Sequence, residues 1–188
     1  MFRELGAGII DTDEISRNLV APGSPALESI VAAFGAGILA ADGTLDRRRL
    51  REIVFADNGE RRRLEAILHP RIREAALARA ASSEAPYVIF VVPLLFETGF
   101  DELVDSTLVV DCPERLQIMR LVERDRVSEN DARSVIGAQL GREDRLAHAD
   151  AVIDSSTSLD ATREAVRALH EAFMERAQNC PDEEGRAE

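Results

Sequence analysis

Lysine is absent from the sequence, so all 23 basic residues among its 188 are arginines. The glycine-rich loop G-x-x-x-x-G-K-[ST], which holds nucleotide phosphates, needs a lysine to reach the β- and γ-phosphates. Neither that lysine nor the glycine spacing occurs here, which excludes the loop from this sequence. Arginine also binds phosphate oxygens through two parallel hydrogen bonds, so phosphate binding by arginine stays open.

Cysteine is scarce, and long apolar runs are missing. Cys112 and Cys180 lie too far apart for a metal-binding spacing and form no disulfide framework, which favours a reducing compartment. The first residues have no apolar signal region, and no apolar run is long enough to span a bilayer. The net charge of -12 argues against a general nucleic-acid surface. We therefore expect a soluble cytoplasmic protein that binds small molecules, with neither nucleic acid nor membrane as a partner. Its oligomeric state stays open.

Four short apolar runs predict β-strands, at residues 8–11, 87–92, 107–111 and 151–154. None of them alternates cleanly between apolar and polar residues. Continuous β-branched runs separated by helical segments are typical of a parallel sheet that is covered on both faces. The predicted fold class is therefore α/β, with a parallel sheet and flanking helices.

Helical segments separate these strands, and the length of the chain fits one domain. Residues 18–85 are too long for a plain crossover, so we expect a helical insert that closes over a ligand. Its helices are predicted at residues 25–34, 46–55, 61–68 and 70–81. Later segments are predicted as a helix at 113–123, a mobile lid at 124–145, a last helix at 158–176 and a disordered tail at 179–188. The domain core is expected at about residues 1–17, 86–123 and 146–178.

Two carboxylates end the first predicted strand. Asp11 and Asp13 follow its apolar residues, and Arg17 lies one helical turn beyond them. Ligands of open α/β sheets bind at the carboxyl ends of the strands, so these groups suit a phosphate-handling site. In the competing interpretation, Asp11 or Asp13 simply caps the helix that follows. The segment taken alone favours the cap.

Arginine pairs at helical spacing follow the third strand. Arg120 and Arg124 lie four residues apart, and Arg142 and Arg145 lie three apart. One interpretation is a set of guanidinium groups that closes on a triphosphate. The other is ordinary surface ion pairing, which the spacing alone favours. The acidic partners in that case would be Glu123, Glu143 and Asp144.

Two further segments are candidates for ligand binding. His69 precedes Pro70, and proline disfavours helical geometry in the residue before it, so His69 is expected at a helix boundary. Residues 93–97 break the second strand at its carboxyl end, where two leucines offer apolar surface and Glu97 offers a carboxylate. The alternative for Glu97 is a helix cap at a buried strand exit.

Together these motifs strongly resemble the dephospho-CoA kinase family, over about residues 5–173. The order and spacing of several short segments carry the resemblance: Asp11-Thr12-Asp13…Arg17, Phe34-Gly35…Ile38-Leu39, Asp42-Gly43-Thr44-Leu45-Asp46-Arg47, Leu64…Ile67-Leu68-His69-Pro70, Val92-Pro93-Leu94-Leu95-Phe96-Glu97, Gln139…Arg142…Arg145 and Ala149-Asp150…Ile153-Asp154. Ser155 departs from the asparagine that the family commonly has beside the adenine. The resemblance also begins after the family's first strand and phosphate loop, so we expect a truncated and impaired chain.

The resemblance implies transfer of the ATP γ-phosphoryl group to the ribose 3′-hydroxyl of dephospho-CoA, the last step of CoA synthesis. It implies ATP and Mg²⁺ as cofactors and a three-layer sandwich like that of P-loop kinases. Asp13 would be the catalytic carboxylate and touch Mg²⁺ through water, and Arg142 would act on the transferring phosphoryl group. The residues implied for ATP are Arg124, Arg142, Arg145 and Ser155. Those implied for the acceptor are Asp11, Arg17, His69, Pro93, Leu94, Leu95 and Glu97.

The resemblance also bears on the sheet. The family's first strand lies between the strands that correspond to residues 87–92 and 107–111, so we expect an open slot there and marginal stability. The alternative function is a non-catalytic remnant or regulator that binds CoA or dephospho-CoA. Another nucleoside or nucleotide kinase of similar fold is disfavoured by the motifs of the insert.

Overall fold

The computed structural model describes residues 1–179 of the chain. Within them the chain folds into two compact units. The N-terminal unit comprises Ile9–Glu84 and Val88–Val92, and the C-terminal unit comprises Met1–Gly8, Ala85–Tyr87 and the chain from Pro93 onward. The prediction of one domain with an insert and a lid stays a prediction.

Four strands form two sheets of two strands each within residues 1–179. The strands are β1 (Gly8–Asp11), β2 (Val88–Val91), β3 (Leu108–Asp111) and β4 (Ala151–Asp154). β1 pairs with β2, and β3 pairs in parallel with β4 in a register that sets Leu108 opposite Ala151. All four predicted strands are confirmed, as is the α/β class. The open slot expected between the second and third strands stays a prediction.

Four helices make up most of the N-terminal unit, each started by a side-chain oxygen. They are α1 (Thr12–Leu19), α2 (Pro25–Phe34), α3 (Arg47–Ala56) and α4 (Asn58–Ala81). Backbone N–H groups of the first turns donate to the N-cap side chains, which are Asp11, Ser24, Asp46 and Asp57. Such caps satisfy donors that have no partner inside the helix, and so they fix where each helix begins.

The core of the N-terminal unit lies between these helices. Ile30 of α2 and Ile38 are at most 1% exposed, and Val20 and Leu50 complete the fully buried cluster. Partly buried side chains surround it, namely Val31, Phe34, Leu45, Ile53, Val54, Leu64, Ile67 and Leu68. Residues 18–85 therefore contain a packed helical body with an apolar core.

A tight turn at Asp42-Gly43-Thr44 precedes α3. Gly43 has a φ of 80°, a left-handed conformation that favours glycine. Asp42 Oδ1 accepts the Thr44 hydroxyl at 2.6 Å and the Thr44 backbone N–H at 3.0 Å. These bonds lower the pKa of Asp42, the hydroxyl bond most. The predicted turn is confirmed.

The helix α4 is continuous through Pro70, so the prediction of two helices with a boundary at His69 is wrong. Arg71, the next residue, bridges the weakened turn: its Nη1 donates to the Ile67 carbonyl at 2.6 Å, and its Nη2 donates to Ser29 of α2 at 3.2 Å. Proline removes one hydrogen bond from a helix, but apolar residues of α4 ahead of the proline are packed against the core described above. Burial of that face keeps α4 in one piece.

Within residues 1–179 the C-terminal unit carries four α-helices, α5 (Glu114–Asp125), α6 (Glu129–Gly137), α7 (Arg142–Ala147) and α8 (Leu159–Asn179). The segment predicted as a lid contains α6 and the first four residues of α7, so much of it is helical. The aromatic ring of Tyr87 packs against Phe173 and His170 of α8, and its hydroxyl lies 2.7 Å from His170 Nδ1. Of the tail predicted to be disordered, Asn179 is helical and residues 180–188 lie outside the described part. No helix in residues 1–179 is long and apolar enough to cross a membrane.

Candidate active site

Asp11 is the N-cap of α1, as the capping interpretation predicts. Its Oδ1 accepts the backbone N–H of Asp13 at 2.8 Å and that of Glu14 at 3.2 Å. Beside it, the Thr12 hydroxyl donates to the Val91 carbonyl at 3.0 Å and ties α1 to the end of β2. Asp11 therefore organises the start of the helix.

Asp13 and Arg17 lie one turn apart on α1, and both are exposed. The Arg17 Nε donates to the Asp13 backbone carbonyl at 3.1 Å, which leaves the Asp13 carboxylate out of that bond. Arg47 of α3 donates to the Arg17 carbonyl at 3.4 Å. The junction of β1 and α1 thus presents a carboxylate and a guanidinium group on adjacent turns.

His69 lies in the interior of α4 and is exposed. α4 packs against α1, the helix that carries Asp13 and Arg17. The acceptor role implied for His69 stays a prediction.

In the C-terminal unit, Arg142 forms a bidentate ion pair with Asp111. Its Nε lies 2.8 Å from Asp111 Oδ1, and its Nη2 lies 2.5 Å from Oδ2. The hydrogen bond to Asp111 raises the pKa of Arg142, with a smaller contribution from Asp154. The Asp111 side chain is only 10% exposed, against 46% for Arg142. Of the two interpretations of Arg142, ion pairing is present, but its partner is a strand-end aspartate and not Glu143 or Asp144.

Ser155 follows β4 and is fixed to the end of β3. Its backbone N–H and its hydroxyl both donate to the Asp111 carbonyl, at 2.8 Å and 3.0 Å. Arg120 of α5 donates to the Ser155 carbonyl at 2.7 Å and to its hydroxyl at 3.2 Å. Asp111 and Arg120 therefore organise this corner. Arg120 was one of the arginines weighed for triphosphate binding, whereas Asp111 was not predicted as a site residue. The position of Asp111 at a strand end, like that of Asp11, was the available signal.

Arg124 and Arg145 have partners of their own. Arg124 forms two hydrogen bonds, at 2.7 and 2.8 Å, with its neighbour Asp125, which raises the pKa of Arg124 and lowers that of Asp125. Surface ion pairing is thus present at Arg124, with Asp125 in place of the expected Glu123. Arg145 Nη1 donates to the Leu140 carbonyl.

Residues 93–99 form turns and no helix. The Phe100 N–H donates to the Leu95 carbonyl at 3.0 Å, and the Thr98 hydroxyl donates to the Leu94 carbonyl at 2.7 Å. Glu97 is exposed, and its carboxylate accepts the backbone N–H of Leu140. The capping alternative for Glu97 at the strand exit is wrong, because no helix starts there.

The predicted site residues fall into two groups, each within one unit. The N-terminal unit holds Asp11, Asp13, Arg17 and His69. The C-terminal unit holds Pro93, Leu94, Leu95, Glu97, Arg124, Arg142, Arg145 and Ser155.

The acidic residues fit Mg²⁺ only as a partly hydrated ion. No group of three or more His, Cys, Asp or Glu side chains in residues 1–179 is arranged to hold a metal. Mg²⁺ keeps several waters and is bound through one or two carboxylates plus substrate phosphates, so a dedicated protein cage is not needed. A single exposed carboxylate such as that of Asp13 meets this requirement.

Comparisons with known proteins agree with the predicted resemblance. A family model described as dephospho-CoA kinase matches residues 1–161. The dephospho-CoA kinase of Thiobacillus denitrificans is 49% identical over 179 residues, which cover 95% of this chain and 89% of that protein. That of Nitrosospira multiformis is 44% identical over 179 residues, covering 95% and 90%.

Solved structures give the same result. The crystal structure of TT1252 from Thermus thermophilus matches with a TM-score of 0.79 and 27% identity, covering 91% of this chain and 87% of that one. The dephospho-CoA kinase from Campylobacter jejuni matches with a TM-score of 0.65 and 27% identity, covering 93% and 89%. The sequence and its fold therefore show that this chain belongs to the dephospho-CoA kinase family.

Proposed function

We propose that this kinase uses Asp13 as the carboxylate beside the attacking hydroxyl when it transfers the γ-phosphoryl group of ATP to the ribose 3′-hydroxyl of dephospho-CoA. One observation carries the assignment. Of the two aspartates at the end of β1, Asp11 uses its carboxylate to cap α1, whereas the carboxylate of Asp13 is exposed and takes no part in the bonds of that turn. Asp13 is therefore the carboxylate available to a substrate.

The chemistry of phosphoryl transfer explains why one carboxylate suffices. The bond from the 3′-oxygen to the γ-phosphorus forms as the bond from the γ-phosphorus to the β,γ-bridging oxygen breaks, and ADP leaves. The hydroxyl proton passes to Asp13. Little other covalent chemistry is needed, so catalysis depends on positioning and on charges over the transferring group.

Mg²⁺ bound by the β- and γ-phosphates would neutralise part of their charge. The residue that fits this ion through water is Asp13. Arg17, one turn further along α1, offers the cation that would hold the acceptor, with Asp11 supporting the start of the helix.

Arg142 is proposed to act on the transferring phosphoryl group, and its pairing with Asp111 is compatible with that role. A guanidinium group has five N–H donors, and Asp111 takes two of them. Three donors remain in a plane that the ion pair fixes. A planar, oriented guanidinium group suits phosphate oxygens, so the pairing with Asp111 orients Arg142 for that role.

The remaining assignments rest on the family resemblance. Ser155, held at the ends of β3 and β4, is proposed to lie beside the adenine. In the C-terminal unit, residues 93–97 are proposed to shape acceptor binding. In the N-terminal unit, His69 keeps the acceptor role that the family resemblance implies. Arg124 and Arg145 are proposed to contribute to ATP binding less directly than Arg142. A cytoplasmic location is proposed, in keeping with the free, buried Cys112.

A panel of acceptors tests this function. ADP release from ATP and Mg²⁺ is measured with dephospho-CoA, adenosine and pantetheine in separate reactions. We expect ADP in amounts equal to the dephospho-CoA consumed, and none above background with the other two. Tight calorimetric binding of dephospho-CoA without ADP release would instead support the non-catalytic alternative.

A further inference from the structure

Side chains from two different segments bind the two backbone polar groups of Leu140. The Leu140 N–H donates to the Glu97 carboxylate, and the Leu140 carbonyl accepts from Arg145 Nη1. Leu140 lies just before α7, whose N-cap residue, Gly141, supplies no side-chain cap. The chain entering α7 is therefore fixed by Glu97 and Arg145 instead of by a cap.

The segment that carries Glu97 also contacts the other end of α7. The ring of Phe96 lies 5.5 Å from that of His148, centroid to centroid, and His148 Nδ1 lies 2.7 Å from the Asp144 carbonyl. Two consecutive residues, Phe96 and Glu97, thus contact the residues that flank α7 on both sides. These contacts tie the position of the six-residue helix α7 to that dipeptide.

Arg142 is the first residue of α7 and lies two residues after Leu140. Its guanidinium group reaches Asp111 at the end of β3. A shift of the backbone at Leu140 would displace the start of α7. It would therefore also displace the guanidinium N–H donors of Arg142.

We infer that Glu97 is a positioning residue that acts on Leu140 and not on substrate, and that it links the segment 93–97 to Arg142. The inference rests on the proposed function for the roles of that segment in acceptor binding and of Arg142 in phosphate transfer. Arg145 shares this positioning role, because it binds the backbone carbonyl of the same residue. Contact with the acceptor along residues 93–95 is thereby coupled to the arginine that acts on the phosphoryl group.

The test separates positioning from binding through the kinetic constants of Glu97→Ala. Loss of a hydrogen bond to a charged acceptor predicts a fall in kcat of about tenfold or more. The KM for dephospho-CoA stays within about twofold, since Glu97 does not touch the acceptor. Glu97→Gln keeps an oxygen that can accept the Leu140 N–H, so it should recover much of kcat. The matched control is Glu102→Ala, which removes an exposed carboxylate a few residues away and should leave both constants unchanged.

A double-mutant cycle with Arg142→Ala completes the test. If Glu97 acts through Arg142, adding Glu97→Ala to Arg142→Ala lowers kcat little further. Two results would overturn the inference while leaving the proposed function intact. One is a fall in kcat of the double variant equal to the product of the falls in the two single variants. The other is a raised KM for dephospho-CoA with kcat preserved in Glu97→Ala. Wild-type activity in Arg142→Ala would overturn the phosphate role of Arg142, and the inference with it.

Discussion

Replacing Asp13 by asparagine removes the proposed catalytic carboxylate with little change of shape. The backbone of Asp13 makes the local hydrogen bonds: its N–H donates to Asp11 at 2.8 Å, and its carbonyl accepts from Arg17 at 3.1 Å. Asparagine keeps both bonds. The loss of stability is then limited to the favourable interaction of the Asp13 charge with the N-terminus of α1, about 0.3–1 kcal/mol. For a chain of this size, that lowers the melting temperature by only about 1–4 °C.

The effect on activity should be far larger than the effect on stability. Loss of proton transfer predicts a fall in kcat of about 10²–10⁴-fold, with the KM for ATP changed by no more than a few-fold. Coupled ADP release at saturating ATP and dephospho-CoA measures kcat, and thermal unfolding measures stability on the same samples. Turnover near that of the wild type would refute the assignment of Asp13.

Glu14→Gln is the matched control for this experiment. Glu14 is exposed in the same turn, and its N–H also donates to Asp11. The variant removes the same charge from the helix start, so it should lose as little stability and keep kcat. An equal loss of kcat in both variants would assign the effect to the charge at the helix start and not to Asp13.

Three further predictions concern the rest of the structure. Arg142→Lys keeps the charge but loses the planar guanidinium group that pairs with Asp111, so kcat should fall about tenfold or more in the ADP-release assay. Arg133→Lys, the control at an exposed ion pair, should leave kcat unchanged. Ile30→Ala leaves a cavity at a fully buried position and should lower the free energy of unfolding in urea by about 2–5 kcal/mol. Hydrogen bonds from the Thr107 N–H and hydroxyl lower the pKa of Asp150 below its usual 3.8, so the stabilisation is present above that pH and is lost as the pH falls through the lowered value. In thermal unfolding, Asp150→Asn should therefore have a lower melting temperature than the wild type at neutral pH. The difference in melting temperature should disappear in acid.

The strands were predictable because they are short apolar runs between polar segments, and the β4 prediction matches its observed bounds at Ala151–Asp154. The starts of α2, α3, α5 and α8 were predicted to within one residue. For α2 and α3 the reason is local, since the serine and aspartate caps lie in the sequence beside the helices they start. The boundary at His69 was not predictable in this way. Proline is a local signal, whereas the burial that carries α4 past Pro70 depends on residues of other helices.

The candidate site shows the same division between local and distant signals. The strand-end position of Asp13 and the helical spacing of Arg142 mark them as candidates from the sequence alone. The partner of Arg142 was missed, because Asp111 lies 31 residues earlier in the chain and ordinary spacing points to Glu143 and Asp144. The bond from Leu140 to Glu97 was also unpredictable, because a backbone donor leaves no trace in the identity of its residue.

The most direct test of the central claim is the identity of the product. Dephospho-CoA is incubated with ATP, Mg²⁺ and the enzyme, and the product is examined by ³¹P NMR. We predict a new phosphomonoester on the ribose 3′-oxygen, formed in step with ADP and lost when Asp13 is replaced by asparagine. A phosphate on any other hydroxyl, ADP without a phosphorylated acceptor, or the same product formed at the same rate by the Asp13→Asn variant would contradict it.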